Sequence, residues 1–286
     1  SHASQSYRDA MKDYLTALRQ HIESQPYGKA VIGYMIMWGY DAQWAWPQTG
    51  NNDQTVQPDG TISSKSASHL MDYSAPMLKY FQDYLRRVYS NQTALRAAWN
   101  DPKVSFETAQ PPTANQLEVE KENDMYPYLL DPAKDRQIID CERCNSEVIG
   151  NLANDLGMAI KSAGTRKVLV SGYFQDIDRA IGTDVILNGS GIDIMGGPNY
   201  TTREIGQSGI SPFTFSSYQL HNKIEFTEVD HRVFSVMSRA YRGNQVFETP
   251  RKSIDVLQRE FGRQIVRGDG AWTLDMGYGW YNQPIL

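Results

Sequence analysis

The segment Lys223-Ile-Glu-Phe-Thr-Glu-Val-Asp-His-Arg232 carries the densest set of residues able to do chemistry: two glutamates within a short apolar run, then Asp230, His231 and Arg232 in succession. Read as a strand, the run alternates, with Ile224, Phe226 and Glu228 on one face and Glu225 and Thr227 on the other. An acid at the end of a buried strand is costly to keep there without a partner. Glu228 is therefore either paired with Arg232 or another cation, or placed to act on a substrate. His231 and His221 read as strand-flanking or surface histidines before they read as ligands.

Aromatic side chains gather near other acids and amides. Of 17 Tyr and 6 Trp, several fall in glycine-containing stretches, notably Trp38-Gly-Tyr-Asp-Ala-Gln-Trp-Ala-Trp46 and Trp272 to Tyr281. Sugars present flat C–H faces beside many hydroxyls, which suits aromatic platforms flanked by acids and amides. Aromatics also fill cores, so the clustering alone favours a sugar site only slightly. Cys141-Glu-Arg-Cys144 has no second cysteine pair and no nearby histidine, and it falls inside a helical pattern rather than after a strand. Zinc and thiol redox chemistry are thus poor readings. Three N-x-S/T sequons, at Asn91, Asn188 and Asn199, matter only in a eukaryotic secretory pathway.

The elements that must position these residues alternate along the chain. An amphipathic helix is expected over 6–24 (Tyr7, Met11, Tyr14, Leu15, Leu18, Ile22), then a continuous apolar strand from Val31 to Trp38. A polar loop insertion at about 47–68 is too long for a mere connection and reads as a functional lid. Helices follow over 74–99, a Pro-rich break at Gln110-Pro-Pro112, and a long helix over about 132–163. Further strands are expected at Lys167–Tyr173, Gly191–Met195, Lys223–Glu228 and Gly270–Met276, with a helix at about 249–266 before the last.

Five apolar strands separated by helices or long crossovers are the signature of an α/β fold with a parallel sheet. No Gly-x-Gly-x-x-Gly or P-loop follows any strand, which argues against a doubly wound nucleotide-binding fold. Polar residues instead recur at strand ends: Asp41 and Gln43, Tyr173, Tyr200, Glu228 and Asp275. That is the arrangement of a (β/α)8 barrel, whose active site lies at the carboxyl ends of its strands. With only five strands in view, the chain reads as incomplete at both ends.

Composition bounds the rest. The 286 residues are 40 % hydrophobic and 21 % charged, ordinary values for a folded domain. A net charge of −5 and a pI near 5.6, with no basic run, make nucleic acid and anionic membrane surfaces poor partners. No apolar stretch nears the roughly 18 residues that span a bilayer. The N-terminal Ser-His-Ala-Ser-Gln-Ser lacks the apolar core of a signal peptide, and the compartment is left open.

With these segments in order, the chain resembles the catalytic barrel of clan A retaining glycoside hydrolases, nearest the β-galactosidase-like enzymes related to glycoside hydrolase family 42. Ser24-Gln-Pro-Tyr-Gly through Tyr34 resembles the lead-in to the fourth barrel strand, and Phe81 to Tyr89 with Ala97-Ala-Trp99 is similar to the helix after it. Lys223–Arg232 resembles the seventh strand, and Trp272-Thr-Leu-Asp-Met-Gly to Tyr281 the eighth. The resemblance implies that residues 1–286 are the C-terminal portion, strands four to eight, of a single (β/α)8 domain. It implies a retaining β-glycosidase acting on terminal β-linked sugars, with Glu228 as nucleophile and Tyr200 hydrogen-bonded to it. Trp38, Trp44 and Trp272 are then candidate stacking platforms. Asp41, Asn199, Asp230, Arg232 and Asp275 are candidate contacts to the sugar or to residues around it. No cofactor or metal is implied; the partner is a glycoside or oligosaccharide, and a homo-oligomer is compatible with the family.

The acid/base position departs from the family. Its pattern Gly-x-x-x-Glu-Trp stands here as Gly39-Tyr-Asp-Ala-Gln-Trp44, with Gln43 at the glutamate. An amide can neither donate a proton at neutral pH nor take one from water. Gln43 fits a deliberate acid/base knock-out that holds an intact substrate, a natural enzyme whose acid is lost or moved to Asp41, or a misplaced register. Other specificities on the same barrel, β-mannosidase, β-glucuronidase or polysaccharide hydrolase, and a catalytically inactive carbohydrate-binding barrel remain alternatives.

Overall fold

A computed structural model describes residues 1–38, 44, 55–56, 62–63, 72–113, 116, 130–174, 182–199, 205–206, 214–236, 249–275 and 279–286. In chain order the elements are α1 (Gln5–Ser24), β1 (Gly33–Ile36), a two-stranded ribbon of β2 (Thr55–Val56) and β3 (Ile62–Ser63), α2 (Ala75–Val88), α3 (Gln92–Trp99), α4 (Arg136–Ser162), β4 (Leu169–Tyr173), α5 (Thr183–Asn188), β5 (Ile194–Asn199), α6 (Phe215–Leu220), β6 (Ile224–Val229), α7 (Pro250–Arg267) and β7 (Gly270–Thr273).

The helices start where side chains satisfy the free N–H groups of a first turn. Ser4, Ser74, Asn91 and Thr249 each accept a backbone N–H at the start of α1, α2, α3 and α7, and Pro76 and Pro250 occupy first-turn positions that need no N–H. Helix α7 stops at Gly268, whose φ of 74° suits a residue without a side chain.

Strands β1, β4, β5, β6 and β7 form one parallel sheet in that spatial order, each hydrogen-bonded to the next strand in the chain apart from the β2–β3 ribbon. Among the described residues the order never reverses, so the sheet has no switch point of the kind a doubly wound nucleotide fold uses. A five-stranded, singly wound parallel sheet with helical crossovers is the course of part of a (β/α) barrel, and the five strands anticipated from apolar runs are all present.

One boundary differs. The strand expected to end at Met195 runs on through Gly-Gly-Pro-Asn, with Gly196, Gly197, Pro198 and Asn199 paired in register with Phe226, Thr227, Glu228 and Val229. Strand β5 pairs with β4 only as far as Gly196, so Pro198 lies beyond that ladder, where a missing N–H is tolerated.

The 27-residue α4 explains where the core sits. Its first half (Ile138, Cys141, Cys144, Val148) packs against Met77, Phe81 and Leu85 of α2 and Leu95 of α3. Its second half (Ile149, Leu152, Leu156, Ile160) packs with Val170, Phe174, Ile186 and Met195 on the sheet and α5. Where α4 meets the loop before β5, Gly157 faces Gly191 so closely that a Cβ would lie 2.3 Å from the Gly191 carbonyl oxygen. Both cysteines are buried, and burial pushes their thiols up in pKa, away from the thiolate that redox or metal chemistry needs. No group of three or more metal-ligating side chains forms among the described residues, and no helix among them is long and apolar enough to cross a membrane.

Candidate active site at the carboxyl ends of the strands

Glu228 is the fifth residue of β6, and its register partners are Pro198 on β5 and Trp272 on β7. In a parallel ladder, partners share a face, so the strand ends bring Glu228 and Trp272 side by side. Tyr173, last residue of β4, lies on the same face: it pairs with Gly196, and Gly196 pairs with Phe226, two residues before Glu228. β4 and β6 stand two strand spacings apart, on the order of 10 Å. The intervening strand offers a glycine and a proline there, and the Tyr173 side chain crosses it. Its hydroxyl donates to Glu228 Oε2 at 2.9 Å, with both residues buried.

Two further rings complete this corner. Trp272 lies 6.0 Å from Tyr173 and 4.9 Å from Phe226, centroid to centroid, in tilted contacts. Phe226 in turn lies over Gly270, where a Cβ would fall 2.3 Å from its ring. A buried carboxylate held through one oxygen by a phenol, with an indole beside it, is suited to meeting positive charge that develops on a bound molecule.

The other residues singled out in the sequence divide between several places. Asp230 and Arg232 are ion-paired with each other, and the Arg232 guanidinium lies 5.4 Å over the ring of Trp280. Asp275 is exposed and accepts the backbone N–H of Trp280 at 2.9 Å. Asn199 ends β5 in register with Val229. Asp41, Gln43 and Tyr200 lie outside the described residues.

Two expected sugar platforms are placed elsewhere. Ile36 pairs with Gly172, on the face opposite Tyr173, and Trp38 and Trp44 belong to the same helix-side core layer. Trp44 is 1 % exposed, packs 6.4 Å from Phe174, donates its indole N–H to the Ile36 carbonyl at 2.8 Å and its backbone N–H to the Tyr173 carbonyl at 2.6 Å. Trp38 is half-buried against Tyr7 and Trp44, and its indole N–H meets His2 Nε2 at 2.5 Å. Register sets this outcome: Trp38 alternates from Ile36 and Trp44 bridges Phe174, both on the face opposite Tyr173.

His231, read as a strand-flanking or surface histidine, flanks β6 and is fully buried. Its Nε2 stands 3.4 Å from Glu260 Oε1 on α7, and its carbonyl accepts the Tyr281 hydroxyl at 2.9 Å. Burial acts to raise the Glu260 pKa, but bonds from His231 and Arg259 and the charge of Arg263 outweigh it and hold the carboxyl below its ordinary value. The helix-facing side of β6 is polar as well: Glu225 is buried and accepts the Thr227 hydroxyl at 2.7 Å. His221 is exposed and bonds the Ser217 carbonyl.

Tyr173 is the residue that sequence reasoning left out of the named site. Its signal was its place at a strand's carboxyl end, but the reach to Glu228 depends on which strand lies between.

No known protein family matches the chain, and no curated protein does. Among solved structures it is similar to the β-galactosidase from the psychrophilic Marinomonas ef1, at 14 % identity and a TM-score of 0.46, over 70 % of this chain and 24 % of that one. The chain thus spans about a quarter of the length of that enzyme.

Proposed function

We propose that the protein is a retaining β-glycosidase, β-galactosidase-like in substrate, whose five strands belong to an eight-stranded (β/α) barrel with Glu228 as nucleophile. The observation that carries this reading is the buried Glu228 carboxyl at the carboxyl end of a parallel strand, one oxygen held by Tyr173 and Trp272 alongside. In the reaction, a Glu228 oxygen forms a bond to the anomeric carbon as the bond from that carbon to the leaving oxygen breaks. Water then cleaves the glycosyl ester. An unactivated leaving group must take a proton as it departs, and Gln43 cannot supply one. Aryl leaving groups that depart as stable anions need none. The partner is a glycoside or oligosaccharide, and the chemistry calls for no cofactor.

A second reading rests on Gln43 itself: a barrel that binds carbohydrate and no longer cleaves it. The two part in a trapping experiment with 2,4-dinitrophenyl 2-deoxy-2-fluoro-β-galactoside, followed by intact-mass and peptide analysis. A glycosyl adduct on the Glu228 peptide supports the hydrolase. No adduct with this reagent or its gluco, manno and glucuronic counterparts favours the binding protein.

A further inference from the structure

The strand-end site leaves unused a cavity of about 580 Å³ in the helix layer, between α2, α4 and α5. Its α5 wall is fixed by close contact with α4. A Cβ on Gly182 would lie 2.2 Å from the Ser146 carbonyl oxygen, and one on Gly150 2.6 Å from Val185 Cβ. Asp184 and Val185 are thereby held against α4, where they line the cavity together with Glu142, Arg143 and Glu147.

The carboxylates of this lining are matched unequally. Glu147 Oε1 accepts the Tyr80 hydroxyl at 2.7 Å and is ion-paired with Arg87, whose guanidinium lies over the rings of Tyr80 and Tyr84 at 5.6 and 5.8 Å. Among the described residues, the Glu142 and Asp184 carboxyls have no hydrogen bond or ion pair. Burial alone pushes the Glu142 carboxyl up to about 7, so no lining charge, Arg143 included, stands near enough to offset it. A cation bound beside it would favour the ionised form.

The lining also separates the kinds of ligand. A single metal ion needs carboxylates that converge, and no group of three metal-ligating side chains does so among the described residues. A sugar ring needs an open aromatic face, but Tyr84 is buried with Arg87 over its ring. An organic dication, charged at both ends of a methylene chain, meets two separate carboxylates and rests its apolar middle on an aliphatic side chain.

We propose that the cavity between α2, α4 and α5 binds a linear alkyl diammonium ion, with one ammonium on the Glu142 carboxylate, the other on Asp184, and the methylene chain against Val185. The site is separate from Glu228 and does not depend on the hydrolase reading.

The test is isothermal titration calorimetry of the full chain with 1,4-diaminobutane and 1,5-diaminopentane, beside n-pentylamine and 1,5-pentanediol. At pH 8 a diamine is expected to bind saturably with a Kd of about 1 mM or tighter. The monoamine should bind about tenfold more weakly, and the diol not at all. Glu142→Gln, which keeps the shape of the side chain, is expected to weaken the diamine by about tenfold or more, and Asp184→Asn to reduce it to the affinity of the monoamine. Because the ionised Glu142 is the binding form and the amines stay charged, parent affinity should fall about tenfold from pH 8 to pH 6. That dependence should vanish in Glu142→Gln. The amine series and the pH series are read on the parent chain and need no variant to fold. No saturable binding of either diamine, binding of the diol as tight as the diamine, affinity indifferent to pH, or unchanged affinity in folded Glu142→Gln overturns the inference.

Discussion

His231 Nε2 and Glu260 Oε1 lie 3.4 Å apart with both side chains fully buried, on strand β6's helix side, three residues along the chain from Glu228. Glu260 also meets Arg259 and Arg263, at 2.6 and 3.4 Å. Removing one member of such a group leaves the others charged and desolvated. Glu260→Ala is expected to cost about 3–5 kcal/mol, read as a lower midpoint in urea unfolding at pH 7. The sign with pH follows from the depressed carboxyl. Its contribution is full above the ordinary glutamate value of about 4.3 and is lost as pH falls through the folded-state value. The variant and the parent chain therefore converge in acid.

Glu142 behaves in the opposite sense. It lines an open cavity of about 580 Å³ between α2, α4 and α5, with Tyr84, Arg143, Ser146, Glu147, Asp184 and Val185, and burial pushes its carboxyl up to about 7. A raised carboxyl makes the folded state take up protons, so this group's contribution declines as pH climbs from about 4.3 to about 7. Glu142→Gln is expected to gain about 1 kcal/mol at pH 8 after allowance for solvent screening, roughly 2–4 °C in melting temperature, and nothing at pH 4. An equal gain at both pH values counts against the titration.

Gly157 and Gly191 touch backbone to backbone where α4 passes the loop before β5. Gly157→Ala puts a methyl into space already held by a carbonyl, and the helix must shift. The expected loss is about 1–3 kcal/mol, measured by thermal or chemical unfolding. Gly262, with nothing within 4 Å of an added Cβ, is the control: Gly262→Ala in α7 should be neutral or stabilising by up to about 1 kcal/mol.

Cys141 and Cys144 are buried in the layer between α2 and α4 with their thiols held protonated. Neither should react with an aromatic disulfide reagent in the native chain. Both should react at once after unfolding in guanidinium, and the rate of native labelling then reports opening of that layer. Rapid stoichiometric labelling at neutral pH would contradict the packing described.

Much of this architecture was legible in the residues. Apolar runs mark the five strands, and apolar periodicity marks α1 and α7. Helices Thr183–Asn188 and Phe215–Leu220 span fewer than two turns, too short for periodicity to register. Gly-Gly-Pro-Asn has the chemistry of a turn, and only its pairing with Phe226–Val229 makes it a strand. The side to which Trp38 and Trp44 point follows from the β1–β4 register and the Trp44–Phe174 bridge, each joining segments more than a hundred residues apart. The Tyr173–Glu228 bond is non-local in the same way, since neither residue announces the other.

That bond joins strands that are not neighbours, and this gives it a mechanical meaning. A hydrogen bond between adjacent strands resists their separation; one that spans a third strand resists bending of the sheet about that strand, as a tie rod stiffens an arch. Tyr173 closes such a span over β5. Any flattening of the sheet lengthens it, and any tightening shortens it. The Glu228 carboxylate is therefore tied to the course of β4 as well as to its own strand.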